Sequence, residues 1–205
     1  RALLGQLARF LRAAGQKRPA GGVPRYRLSL GVRAVGLRGD TLCGDCGTSF
    51  QCGVTQYVLL CDGMGTGSGA QSDAQEAISV LQSLLTLGFD AMDAAAMLNE
   101  LYVLRGDGCF STVDLLEMDL CTGEGALYKW GAAPSYLKKG GTVKKIGTAS
   151  PPPGLGVGEE HRAERVGLSL QRGEQLVLTT DGIPEAACEQ YLCLLYTSPS
   201  PRDRT

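Results

Sequence analysis

The stretch Tyr57–Ser72, YVLLCDGMGTGSGAQS, runs from apolar residues into one acid, then glycines alternating with small residues, then a helical pattern. Two chemistries suit such a turn. Glycines after a strand can cradle a phosphate on backbone N–H groups, and an acid at a strand end can hold a metal. Gly65, Gly67 and Ala70 satisfy the spacing G-x-G-x-x-A of a dinucleotide turn. A dinucleotide fold would next need a parallel strand and an acid about 20 residues on for the ribose. A second helical pattern stands there instead, and Asp62 would repel a pyrophosphate. A dinucleotide-binding enzyme therefore remains an alternative, one that requires the chain to bind NAD(H).

Working outward, Ala70, Ala74, Ala77, Ile78, Leu81, Leu84 and Leu85 share one face of a helix over residues 69–87, which Gly88 stops. Asp90 with Asp93 is a helix start for residues 90–104. Upstream, the spacing of Leu3, Leu4, Leu7, Phe10, Leu11 and Ala14 predicts an amphipathic helix over residues 2–14, followed by a basic Gly/Pro linker over 17–24. YRLSLGVRAVG (26–36) and TQYVLLC (55–61) read as strands joined by a glycine- and cysteine-rich connection that holds Asp40 and Asp45. Downstream, CFSTVDLLEMDL, the short segments of ALYKWGAAPSYLKKGGTVKKI, ERVGLSL and QLVLTTDG all read as strands. Strands, two successive helices and then more strands predict an α+β fold with largely antiparallel sheets flanked by helices.

Composition narrows the partners. The chain has 205 residues, 43% of them hydrophobic and 20% charged, with a net charge of −1, which suits one globular domain. Near-neutral charge gives no reason to expect nucleic acid or an anionic membrane as a partner. No apolar run approaches the roughly 20 residues that span a bilayer, and the start has no signal-peptide layout. The chain begins at Arg1, so it is expected to be a fragment. Eight cysteines include one C-x-x-C, Cys43 and Cys46, without the second half of a zinc signature. Together with Cys52, Cys61, Cys109 and Cys121 they read as reduced thiols, which implies a cytosolic setting. His161 is the single histidine, so a histidine triad or multi-histidine zinc site is not available. Lys138, Lys139, Lys144 and Lys145 flank a hairpin turn and read as a solvated face or a phosphoprotein contact.

The metal reading gains from repetition. YVLLCDG and QLVLTTDG are both apolar strands ending in Asp-Gly, so Asp62 and Asp181 project from strand ends, and Asp45 follows LCG ahead of the first. Converging carboxylates suit a hard divalent cation such as Mg²⁺ or Mn²⁺. Asp-Gly is also simply a good turn pair.

GDTLCGDC, LLCDGMGTGSGA, LGFDAMDAAAMLNELYVLR, FSTVDLLEMDLCTGEGALYKWGAAPSYL and LTTDGI, in this order from about Tyr26 to Glu185, resemble the phosphatase domain of the stage II sporulation protein E family, within the PP2C-type serine/threonine phosphatases. The resemblance implies a PP2C-like layered fold, incomplete at its C-terminus, over residues 26–187. An N-terminal helix and linker (1–25) would precede it, and a non-native tail (188–205) would follow. It implies two Mn²⁺ or Mg²⁺ ions, with Asp45 and Asp62 as catalytic and metal acids, the Gly63 carbonyl as a backbone ligand and Asp181 as the acid of the late Asp-Gly. Asp40 matches a less critical acid. The implied reaction is attack of a metal-activated water on a phosphoserine or phosphothreonine of an anti-anti-sigma factor, which would control a sporulation sigma factor. The implied setting is a cytoplasmic domain of a membrane-anchored parent, with homo-oligomerisation through regions outside this chain. Residues 69–104 would be switching helices whose face Leu98, Leu101 and Tyr102 meets a partner; plain core packing is the other reading. The family has Glu-Ser where this chain has Asp73-Ala74, and a further Asp-Asp element that nothing after Asp181 matches. Loss of that ligand is expected to weaken metal binding, so an inactive PP2C-like phosphoprotein-binding module is the second alternative.

Overall fold

The run that ends at Asp62 is strand β2, Thr55–Gly63, and its neighbours build the fold. The structure is a computed structural model that describes residues 22–34, 43–106, 108–140, 142–147, 150–155 and 163–182. The helix expected over 2–14, Asp40, His161 and the tail 188–205 lie outside the described residues. Strand β1 (Asp45–Cys52), β2, β3 (Ser111–Asp119), β4 (Glu124–Trp130) and β7 (Glu164–Ser169) form a five-stranded sheet in the order β1-β2-β3-β4-β7. A second sheet of three strands has the order β6-β5-β8, from β5 (Ser135–Lys139), β6 (Thr142–Ile146) and β8 (Gln175–Val177). Every described strand pairing is antiparallel. The α+β expectation stands, and the parallel unit that a dinucleotide fold needs is not formed among the described strands.

Helices α1 (Gly67–Thr86) and α2 (Ala91–Arg105) follow each other as the periodicity predicts. Asp90 caps α2 by accepting a hydrogen bond from the Asp93 N–H at 2.8 Å, and Gly106 closes it in the left-handed conformation. Ala70, Ala74, Ala77, Leu81 and Leu85 of α1 are buried against the large sheet; three alanines in that stripe let the helix approach the strands closely. All but Ala70 join Leu59, Cys61, Val113, Leu115 and Trp130 in one core. Leu98 and Tyr102 of α2 belong to it too, and Tyr102 Oη shares a 2.9 Å hydrogen bond with Ser111 Oγ. The packing reading therefore fits these two residues, which are not presented to a partner.

The opposite face of the large sheet carries Leu116, Met118 and Leu127, which pack with Leu137 and Ile146 of the small sheet in a second core. The order of layers is helices, large sheet, small sheet. Strand β3 is covered on both faces, so Val113, Asp114, Leu115 and Leu116 are buried in succession with no alternation.

Three sequence expectations change. Residues 26–34 form no strand; Arg25 and Tyr26 donate backbone hydrogen bonds to the Leu120 carbonyl and Leu28 packs on the second core, but no ladder forms there. The segment expected as a connection is instead strand β1, with Cys46, Phe50 and Cys52 packed on the helix-side core and Gly47, Ser49 and Gln51 exposed. The last strand is short: β8 ends at Val177, and residues 178–180 leave the ladder before Asp181. Among the described residues no helix is long and apolar enough to cross a membrane.

Candidate metal centre

Strand register brings the first two acids together. Asp45 and Asp62 are direct cross-strand partners at the open end of the β1–β2 pair. Side chains opposite each other in an antiparallel pair point to one face about 5 Å apart, and like charges there are destabilising. Cys61, one residue earlier, points into the helix-side core, so Asp62 faces the other way, towards the layer of the small sheet.

The third acid arrives from the far end of the chain. Thr180 Oγ1 donates a 2.7 Å hydrogen bond to Asp45 Oδ2, which ties the segment after β8 to the start of β1. Next to Thr180, Asp181 is exposed, and its carboxyl lies near enough to Asp62 to disfavour the charge there. The Asp62 carboxyl is consequently pushed up to about 7, first by burial, then by Asp45 and then by Asp181. Each of those causes disfavours its charge, and none is a cation.

Gly63 completes the turn for a steric reason. A Cβ at this buried position would overlap the carbonyl oxygen of Ala70 and sit 2.7 Å from its carbonyl carbon, so the strand end and the first turns of α1 can touch only at glycine. Gly65 and Gly67, both at positive φ, then turn the chain into the helix.

The donor set suits a hard divalent cation: oxygen ligands, a half-buried carboxyl whose charge nothing offsets, and a backbone free of side chain beside it. The three carboxyls meet pairwise at Asp62. Among the described residues no group of three Asp, Glu, Cys or His side chains closes into a ready coordination shell. The described cysteines do not supply an alternative: they join no such group of ligands, and burial drives the Cys61 thiol far up.

Two features of the site carry no motif. Thr180 reads as one more strand residue in QLVLTTDG, and its bond to Asp45 becomes visible only when both ends of the chain are placed. Asp114 and Lys129, an ion pair in the interior behind Asp62, each have apolar or aromatic residues on both sides in sequence, Val113 and Leu115 for one and Tyr128 and Trp130 for the other; a charge so flanked is the sequence signal that could have found them.

Comparison with known proteins gives a consistent picture. The sequence profile of the family Stage II sporulation protein E (SpoIIE) matches residues 54–193. Stage II sporulation protein E of Bacillus subtilis (strain 168) is 32% identical over 167 residues, which is 80% of this chain and 20% of that protein. The chain thus spans about a fifth of that relative's length. The solved PP2C phosphatase domain of SpoIIE from Bacillus subtilis, with a fragment of its regulatory domain, superposes with a TM-score of 0.77 at 27% identity. That likeness covers 88% of this chain and 55% of the other. RsbX in complex with magnesium shares the fold at a TM-score of 0.60 and 14% identity, over 78% of this chain and 77% of RsbX.

Proposed function

This chain belongs to the stage II sporulation protein E family, whose fold is that of the PP2C phosphatases, and on that premise we propose that it carries the core of a metal-dependent protein serine/threonine phosphatase. The observation that carries the reading is that Asp45 and Asp181, from distant segments of the chain, each lie beside Asp62. Asp45, Asp62 and Asp181 would hold the metal through their carboxylates, and Gly63 through its backbone carbonyl. Two Mn²⁺ or Mg²⁺ ions, when bound, supply Lewis-acid charge for a phosphoryl group and lower the pKa of the attacking water.

The chain's own residues set the conditions for that chemistry. A proton on Asp62, held up to about pH 7 by burial and its neighbours, competes with a cation for the same oxygens, so metal affinity rises with pH. Thr180 orients Asp45 by occupying Oδ2, which leaves Oδ1 for a ligand. The proposed substrate is a phosphoserine or phosphothreonine on a regulatory protein, an anti-anti-sigma factor in a sporulation sigma-factor circuit. The domain would be a cytoplasmic part of a membrane-anchored parent.

Calorimetric titration of Mn²⁺ into the chain and into Asp62→Asn tests the centre, with release of phosphate from a phosphoserine protein as the second readout. Saturable binding that the variant loses is expected. Absence of Mn²⁺ binding to the unaltered chain overturns the reading. A second reading, an inactive module that binds phosphoproteins without hydrolysing them, is favoured by the pairwise arrangement of the acids in place of a closed shell. Stable capture of a phosphorylated partner without phosphate release would select it.

A further inference from the structure

A lysine is among the largest fully buried side chains of the protein. Lys129 is 0% exposed and its cross-strand partner Asp114 is 1% exposed. Burying such a pair brings little or no stability over apolar residues of the same size, because desolvation of both ions offsets their attraction. Its place in the fold points to another purpose. Asp114 stands opposite Leu60, and Thr112, two residues before it, stands opposite Asp62. The pair therefore lies on the face that carries Asp62, one pleat deeper between the two sheets.

From there a continuous path leads back to the acids. The Lys129 ammonium pairs with Asp114 Oδ1 and donates a 2.8 Å hydrogen bond to Ser135 Oγ, the first residue of β5 in the small sheet. The carbonyl of the preceding residue, Pro134, accepts a 2.7 Å hydrogen bond from Thr179 Oγ1. Thr180, next in sequence, holds Asp45, and Asp181 reaches Asp62. The ladder has ended at Val177, so the side chains of Thr179 and Thr180 carry the placement of this segment.

We propose that Asp114, Lys129 and Ser135 are positioning residues: a buried clamp that fixes the start of β5 to the large sheet, and through Pro134 and Thr179 sets the reach of Asp181 towards Asp45 and Asp62. The inference rests on the reading of those acids as a metal centre and adds how its two halves, one from each sheet, are held in register. A neutral pair could fill the same volume. An apolar pair has no donor for the Ser135 hydroxyl, whereas the Lys129 ammonium pairs with Asp114 and still donates to Ser135 Oγ.

The test uses the full chain and its variants Ser135→Ala, Ser135→Thr, Thr179→Val and the double variant Asp114→Leu/Lys129→Met. Hydrogen exchange of the peptide covering 175–182 is followed in metal-free protein, and Mn²⁺ is titrated separately. Loss of one buried hydrogen bond corresponds to roughly two- to tenfold in an equilibrium. Ser135→Ala and Thr179→Val are expected to speed exchange of that peptide by about fivefold, with α1 and α2 unchanged, and to weaken Mn²⁺ binding by about tenfold. Ser135→Thr is expected to restore both. The double variant is expected to melt close to the unaltered chain yet bind Mn²⁺ as weakly as Ser135→Ala. Unchanged exchange in Ser135→Ala and Thr179→Val overturns the clamp, and so does faster exchange with undiminished Mn²⁺ affinity. If the unaltered chain binds no Mn²⁺, the metal reading falls by itself, and the exchange comparison still decides whether the clamp exists.

Discussion

Gly63→Ala should separate close packing at the site from ordinary glycine flexibility. The added Cβ would overlap the Ala70 carbonyl oxygen and lie 2.7 Å from its carbon and 3.0 Å from its Cα. These are backbone atoms in the first turns of α1, so no side chain can swing away. Relieving the overlap with the carbonyl oxygen to an ordinary contact of about 3.4 Å moves the helix start by on the order of 1.5 Å, and overpacking of that kind costs about 1–3 kcal/mol. Backbone as the obstacle places Gly63→Ala at the upper end, about 3 kcal/mol, or roughly 6–12 °C in Tm for a domain of this size. Gly69→Ala is the matched control: it lies two residues inside the same helix, and its Cβ would meet nothing within 4 Å. Alanine is favoured over glycine in a helix by about 0.5–1 kcal/mol, so this variant should be equal to or more stable than the parent. Urea unfolding followed by circular dichroism measures both. If Gly63→Ala unfolds at the same urea concentration as the parent, the strand end and the helix are not in contact, and the account of why glycine follows Asp62 is wrong.

Asp62 makes metal-free stability depend on pH. Its folded pKa, about 7, lies above the ordinary value of 3.8, so the folded state binds the proton more tightly than the unfolded state. That contribution is full below pH 4 and is lost as pH rises through 7; Tm should fall from pH 5 to 8 more steeply in the parent than in Asp62→Asn, and equal slopes would refute the crowding of the acids. Lys129→Met strands the Asp114 carboxylate in the core, and breaking a buried pair from one side costs about 3–5 kcal/mol. Burial already raises Asp114 against the opposing pull of Lys129, so this deficit should shrink as pH falls and the stranded carboxyl takes a proton; urea midpoints at pH 5 and 8 check it. Asp90→Ala removes the cap of α2 and should cost about 1 kcal/mol, while Asp90→Asn stays near the parent in the same assay.

How far the sequence foretells this structure depends on whether a signal is local. Both helices were legible, since their apolar stripes and the pair Asp90 and Asp93 are contained within a few turns. Strands β2 to β6 were legible from alternation and glycine turns. Strand β1 was not, because its packed side is made of Cys46, Phe50 and Cys52 among Gly, Ser and Gln, a weak contrast by composition although the alternation is regular. The false strand at 26–34 shows the converse: Tyr26 and Leu28 give an alternating pattern, and one of them packs on a core, but a strand needs a partner edge that no sequence pattern supplies. Asp62 and Asp181 could be read as a repeated strand end. That they meet, and that Thr180 fastens one to Asp45, depends on a register and a crossing of sheets that no window of sequence contains.

The same register explains why the site needs its supports. An antiparallel pair that sets Asp45 against Asp62 works against its own stability, and adding Asp181 raises the repulsion at the point where the ladder has run out. Left to themselves, such side chains would splay into solvent. Three attachments prevent it: the contact of Gly63 with Ala70 fixes the chain after Asp62, the bond from the Thr180 hydroxyl holds the Asp45 carboxylate itself, and the bond from Thr179 to the Pro134 carbonyl fixes the chain before Asp181. None of the three is itself charged. Neutral attachments hold the carboxylates close without neutralising them, so their charge stays available to a cation. A basic residue at Thr180 would stabilise the metal-free fold and compete with the ion for the same oxygens. Substituting Thr180 by lysine makes the contrast measurable: the metal-free protein should gain Tm at pH 8, where Asp62 is ionised, and Mn²⁺ affinity should fall by at least tenfold. A variant that gained stability and kept its affinity would show that the acids do not act on a common cation.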